Sequence, residues 1–370
     1  MKKIFKFIIL VLITSTAFAK APKVYSALSN EAKHFKEKDL RDLLVEFVRA
    51  GSPTRIPGSE GHAKAIMFIQ NKVREYDPKE TGSLSLEKSK LPIEKGVKLY
   101  QDDFQNKVAT QFTPAQAEYK KWKTFTDLMV AEIKRRENEE AVNLVWEKKG
   151  SDTKKWITIM AHYDTISHDK NTYLVKAKDK MPGANYNGTG VSVALGLVKL
   201  FAGMDLARSV RIVFVDYSVF GFMGAEILAQ KIESRVQKNE EEVMMVFNLE
   251  MLGQDTSVLD SAKKTGNFCV YGPKNAELST PVQQMLLNGQ KITKETLFEY
   301  RANGFETSDH ARFWERGMPA LVFSQNWEED FNPKFYQTPQ DTAETLNFKT
   351  LYHAYLALSG ITAGLVLDLR

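Results

Sequence analysis

Six short apolar runs constrain this chain more than any other feature. They read VNLVWEK, WITIMAH, SVRIVFVDY, VMMVFNLEM, NFCVYG and PALVFSQ, and all fall between Val142 and Gln325. Each is rich in Val, Ile and Phe and has strand length. Helical segments lie between several of them, notably after Gly190, after Gly224 and around Arg312. Strands that are apolar nearly throughout need cover on both faces, and their alternation with helices argues for a mainly parallel α/β sheet. Such sheets carry their sites at the carboxyl ends of the strands.

Ahead of this region the pattern is helical. Residues 27–50 place Leu40, Leu43, Leu44, Phe47 and Val48 on one face. A Gly/Pro turn in GSPTRIPGSEG then opens a second helix. Residues 78–112 are polar and without clear periodicity. Thr113-Pro114 reads as an N-cap and first-turn proline, starting a helix to about Glu139 with Trp122, Phe125, Met129 and Ile133 in a stripe. That helix packs on the domain surface or covers a cleft.

The first nineteen residues, MKKIFKFIILVLITSTAFA, have the form of a cleaved signal peptide: Lys2 and Lys3, an apolar run, then Ala17-Phe18-Ala19. The expected mature chain begins near Lys20, forms one domain to residue 370 with an extra segment at about 78–139, and is periplasmic or secreted. No cysteine at the cleavage site offers a lipid anchor. Losing the leader's three lysines lowers the formal charge from +5 to +2. Neither nucleic acid nor an anionic membrane is then favoured as a partner. Cys269 is the only cysteine, so no disulfide within the chain supports the fold.

At the strand ends stand His162-Tyr163-Asp164, Glu250 and the tripeptide Ser308-Asp309-His310. His and Glu are suitable zinc ligands, and an Asp two residues past a His can orient its ring. Seven segments in order, RIPGSEGHAKA, AHYDT, PGANYNGTGVSVALGL, VFVDYSVFGFMGAE, FNLEMLG, TSDHARFWERGMPAL and YQTPQDTAETL, resemble the secreted di-zinc aminopeptidases of peptidase family M28, whose relatives include glutaminyl cyclases. The resemblance covers roughly residues 40–76 and 141–370. It implies a three-layer α/β/α sandwich around a mixed, mostly parallel twisted sheet. It also implies two zinc ions bridged by an Asp, with a Glu as general base on the shared water.

By that resemblance His162 and Glu250 are first-metal ligands, Asp164 is the orienting partner and His310 is a second-metal ligand. Three positions depart. The bridging Asp is replaced by Tyr186, the general base by Ser218, and the second-metal Glu by Val219. Gln337 stands where the family has His in His-Thr-Pro. Gly183-Ala184 and the glycines at 221 and 224 hold the register, and neither Asp216 nor Glu226 is placed to substitute. The size and position of Tyr186 suggest that it fills the metal cavity. Missing general-base help alone costs about 10²–10⁴-fold in rate.

Zinc is thus the one cofactor implied, and these departures argue against its retention. The catalytic residues are unknown. The resulting expectation is a secreted, catalytically impaired member of the family that acts by binding a peptide or protein partner, or that uses the fold structurally. The alternative is an active metallo-aminopeptidase with a rewired, single-metal site on His162, Glu250 and a third ligand, either Asp164 turned inward or His310. Serine chemistry at Ser218 with His162 or His310 as base lacks the G-x-S-x-G elbow.

Overall fold

The structure, a computed structural model, describes residues 21–167, 180–256, 268–274, 280–293, 299–302, 304, 306–331 and 334–368. The expected signal peptide lies outside these residues. Helices α1 (Ala21–His34), α2 (Glu37–Ala50) and α3 (Glu60–Tyr76) open the chain, followed by strand β1 (Ser83–Lys90). Helix α4 (Ile93–Asp103) continues through a wider turn at Phe104–Val108, and α5 (Ala117–Arg135) packs against it. The α/β part follows as β2 (Glu140–Lys148), β3 (Asp152–His162), α6 (Thr189–Ala202), β4 (Arg208–Val215), α7 (Met223–Gln237) and β5 (Glu242–Leu249). It ends with β6 (Phe268–Tyr271), α8 (Thr280–Thr293), β7 (Glu299–Arg301), the single turn α9 (Ala311–Trp314), β8 (Ala320–Gln325) and α10 (Phe348–Val366).

The eight strands form one mixed sheet in the order β1-β2-β4-β3-β5-β8-β6-β7. Its centre, β4-β3-β5-β8, is parallel, and the antiparallel pairings are β1 with β2, β2 with β4 and β6 with β8. Successive residues of a strand face opposite sides, and the core divides accordingly. Leu144, Ile157, Ile159, Ile212 and Phe247 join α2, α3, α6 and α10 on one face. Val145, Met160, Val213 and Val246 join α7 and α9 on the other. Helices on both sides of the sheet make the three-layer sandwich.

Three local expectations are corrected. The helix expected over 27–50 is two helices. Lys36 is extended, its N–H bonds Asp39 Oδ2 at 2.9 Å, and the buried Phe35 turns inward onto Tyr76 and Tyr355. The helix expected from Thr113 begins at Ala117, after a turn in which Gln116 Oε1 accepts the Thr113 N–H at 2.6 Å. The polar stretch 78–112 holds an edge strand and a helix. Among the described residues no helix is long and apolar enough to cross a membrane.

Candidate metal centre

The parallel register builds one half of the site. β3 pairs Met160 with Asn248 of β5, so His162 and Glu250 leave adjacent strands side by side, two residues further on. His162 Nε2 lies 3.8 Å from Glu250 Oε1, and both side chains are buried. On the far side of the ring, Nδ1 lies 3.1 Å from the Asp164 carbonyl oxygen and 3.4 Å from its Oδ1. Asp164 Oδ2 accepts the Val219 N–H at 3.0 Å. Asp164 therefore faces Nδ1, where it orients the ring, and is not turned inward beside Nε2. Burial opposes a charge on His162, but the carboxylates of Asp164 and Glu250 outweigh it and raise its pKa to about 10.

The tripeptide before α9 divides its labour. Ser308 Oγ donates to Glu250 and accepts from Asn248 Nδ2 at 2.7 Å. Asp309, fully buried, takes the Ser218 hydroxyl at 2.7 Å from each carboxylate oxygen. Burial, reinforced by Glu250 and Asp164 against the pull of His162, pushes Asp309 up to about 7. His310 sets its ring edge-on against Trp314 at 4.3 Å, whose indole N–H holds the Ala320 carbonyl at 3.0 Å. The structure thus brings His162, Asp164, Glu250, Ser218 and Asp309 together. Asp309 is the participant that the sequence reading left without a role. Its signal was its place in the same tripeptide as His310.

The other half is apolar. Gly183 adopts a left-handed φ of 58°, which a side chain would resist, since a Cβ there would meet Thr165 at 2.5 Å. The buried Arg55 guanidinium fixes this turn through the carbonyls of Tyr163, Pro182 and Gly183 at 2.7, 2.6 and 2.9 Å. Asp341 accepts the N–H groups of Asn185 and Tyr186 at 2.8 and 3.0 Å. So held, Tyr186 sets its ring 4.8 Å from that of His162 and 5.0 Å from that of Tyr336.

Tyr186 and Val219 belong to one buried apolar cluster with Ile56, Phe220, Met223 and Met251, packed against Tyr100 of α4 and Phe125 of α5. The Tyr100 hydroxyl donates to the Val219 carbonyl at 3.0 Å. Gly96 of α4 lies so close to Gly221 that a Cβ on the latter would stand 2.7 Å from its Cα.

Two zinc ions need an anion between them and a donor on the second ion. Burial holds the Tyr186 phenol well above its ordinary pKa, hence neutral, and valine offers no donor. The pair does not fit. Among the described residues no group of three His, Cys, Asp or Glu side chains is arranged to hold a metal. Asp216 and Glu226 are engaged elsewhere. Asp216 takes His62 Nε2 at 2.8 Å and the Val142 N–H at 2.9 Å, and Glu226 takes Arg316 at 2.6 Å. Ser218 faces a carboxylate rather than an imidazole, so it has no histidine base.

A three-layer sandwich with His-x-Asp and Glu at neighbouring parallel strand ends defines a zinc-aminopeptidase-type fold. The model of peptidase family M28 matches residues 143–361, and the chain belongs to that family. It is 23% identical over 294 residues to Aminopeptidase YwaD of Bacillus subtilis, covering 79% of this chain and 55% of that protein. The chain thus spans about half the length of this curated relative. Among solved structures it resembles the LapA aminopeptidase of Legionella pneumophila, with TM-score 0.64 and 14% identity over 97% of this chain and 79% of that one. It also resembles BSAP, a zinc aminopeptidase from Bacillus subtilis, with TM-score 0.63 and 14% identity over 91% and 96%.

Proposed function

We propose that this chain is a catalytically silent, exported M28 protein that binds a peptide or protein partner without cleaving it. The observation that carries this reading is the pairing of Tyr186 and Val219. The residues at the bridging and second-metal positions are both built into one apolar cluster with α4 and α5. Ser218, at the general-base position, spends its hydroxyl on Asp309. The half-exposed aromatics Trp327, Phe331 and Tyr336, which pack on one another and meet Tyr186 through the edge-on ring of Tyr336, support a binding role, since such residues are enriched at interfaces. An active exopeptidase with a single metal draws support from the 3.8 Å gap between His162 Nε2 and Glu250, but among the described residues it lacks a third donor in place.

The deciding measurement is zinc content of the mature protein by elemental mass spectrometry after a zinc soak, with hydrolysis of aminoacyl substrates followed in parallel. Well under one ion per chain and no hydrolysis are expected. A tightly held ion, with activity lost in His162→Ala, would replace this reading with the single-metal enzyme. Peptide binding that persists in chelator would support the silent reading.

A further inference from the structure

A cavity of about 250 Å³ lies apart from the strand ends, and none of the residues of the centre lines it. Three segments build it. The last turns of α2 present Val45, Val48 and Arg49 on one stripe, at i, i+3 and i+4, while Leu40, Leu43, Leu44 and Phe47 face the core. Thr54 bridges Met181, whose N–H meets the Pro53 carbonyl at 2.8 Å, and this brings Lys180 and Pro182 beside that stripe. The Asp341 carbonyl accepts the Ala184 N–H at 3.1 Å, and Thr342, Ala343 and Glu344 follow as the third wall. The lining is aliphatic, with no aromatic ring, and carries two cations, Arg49 and Lys180, and one carboxylate, Glu344. All three charged side chains are exposed. Among the described residues none of them forms a salt bridge, whereas Lys38, Lys64 and Lys98 each pair with an acid four residues away. A hydrogen bond with Thr342 holds the Glu344 carboxyl below its ordinary range, and Lys180 adds to that effect.

We infer that this cavity is a binding site for a free aliphatic amino acid such as leucine, with its carboxylate at Arg49 and Lys180, its α-amino group at Glu344 and its side chain on Val45, Val48 and Pro53. The volume falls just under the roughly 300–1,000 Å³ of pockets that hold drug-sized ligands, which suits one smaller molecule. The mixed charge selects a zwitterion. A simple anion would meet the repulsion of Glu344, and a simple amine that of Arg49 and Lys180. The occupant would also join α2 to the two segments that hold the Tyr186 turn. One is Pro182, whose carbonyl Arg55 takes at 2.6 Å, and the other follows Asp341, which accepts the Tyr186 N–H at 3.0 Å.

The test titrates the full mature chain with leucine, read by calorimetry and by ligand-observed NMR. Leucine should bind saturably at one molecule per chain. Arg49→Gln, Lys180→Gln and Glu344→Gln should each weaken it by about three- to tenfold, the loss of one exposed charged contact. Because these side chains are exposed, the variants should keep the fold, which circular dichroism checks. Leucinamide and N-acetyl-leucine, each lacking one of the two charges, should bind more weakly than leucine by a similar factor. His162→Ala should leave leucine binding unchanged. No saturable binding by about 10 mM leucine, leucinamide or N-acetyl-leucine binding as well as leucine, or binding lost in His162→Ala but kept in Arg49→Gln would each overturn the site. The last of these would put the amino acid at the strand ends instead. Zinc content and hydrolysis, measured separately, decide the silent reading whichever way leucine behaves.

Discussion

The two halves of the centre, a few ångströms apart, have taken opposite courses. Around His162 the side chains are polar, buried and close to one another: Asp164 beside Nδ1, Glu250 toward Nε2, Ser308 on Glu250 and Ser218 on Asp309. Around Val219 they are aliphatic and aromatic, continuous with α4 and α5. Burying a charge is costly unless it is paired. The polar half pairs its carboxylates through hydroxyls and an imidazole. The apolar half is core.

The largest expected effect comes from forcing the apolar half back to its polar character. Val219→Glu places an unpaired carboxylate among Tyr186, Phe220 and Met251, and should cost about 3–5 kcal/mol in chemical denaturation, comparable to an uncompensated buried charge. A loss under about 1 kcal/mol would mean that this half keeps a water-filled or cation-ready space. In the polar half, Asp164→Ala strands the Val219 N–H and removes the carboxylate beside His162 Nδ1 while keeping the backbone carbonyl that Nδ1 meets, and should cost about 2–3 kcal/mol. Tyr100→Phe removes one hydrogen bond between α4 and the Val219 carbonyl and should cost about 1 kcal/mol, read in the same way.

A smaller, pH-dependent effect comes from beneath the polar half, where His62 stacks on Tyr163 and pairs with Asp216. Burial alone would lower the His62 pKa, but the charge and hydrogen bond of Asp216 outweigh it, so the folded value is raised. Asp164 adds to that rise, and Arg136 opposes it. The pair's contribution to stability is complete below the unfolded histidine pKa of about 6.5 and fades as pH climbs through the raised folded value. Denaturation of His62→Gln beside the unmodified protein should show a gap that is wider near about pH 6 than near about pH 9. Chelator should shift neither curve.

What the sequence made legible follows the physics of each element. The strands were readable because parallel strands buried on both faces are apolar along their length, and His162 and Glu250 fall together because β3 and β5 are in parallel register. Strand β1, SLSLEKSK, was not readable. An edge strand has little to bury, and only Leu84 and Leu86 give its alternation any apolar character. The break at Phe35–Lys36 carries no Gly or Pro. It is set by where Phe35 packs, between Tyr76 and Tyr355, which no local window contains. Asp309 lacked a sequence-level role because its partner, Ser218, lies 91 positions away. Tyr186 was identifiable as a departure, but its contact with Tyr336 joins segments about 150 positions apart.

The tyrosine ring against His162 also decides how such a protein would look to chemical surveys of a proteome. Hydroxamates, thiols and other warheads that find aminopeptidases do so by seizing an exposed ion, and here the imidazole that would present one is covered by a phenol. On the silent reading, activity-based probes would pass this chain by, and a tally of peptidases made from fold alone would count an enzyme where a receptor stands.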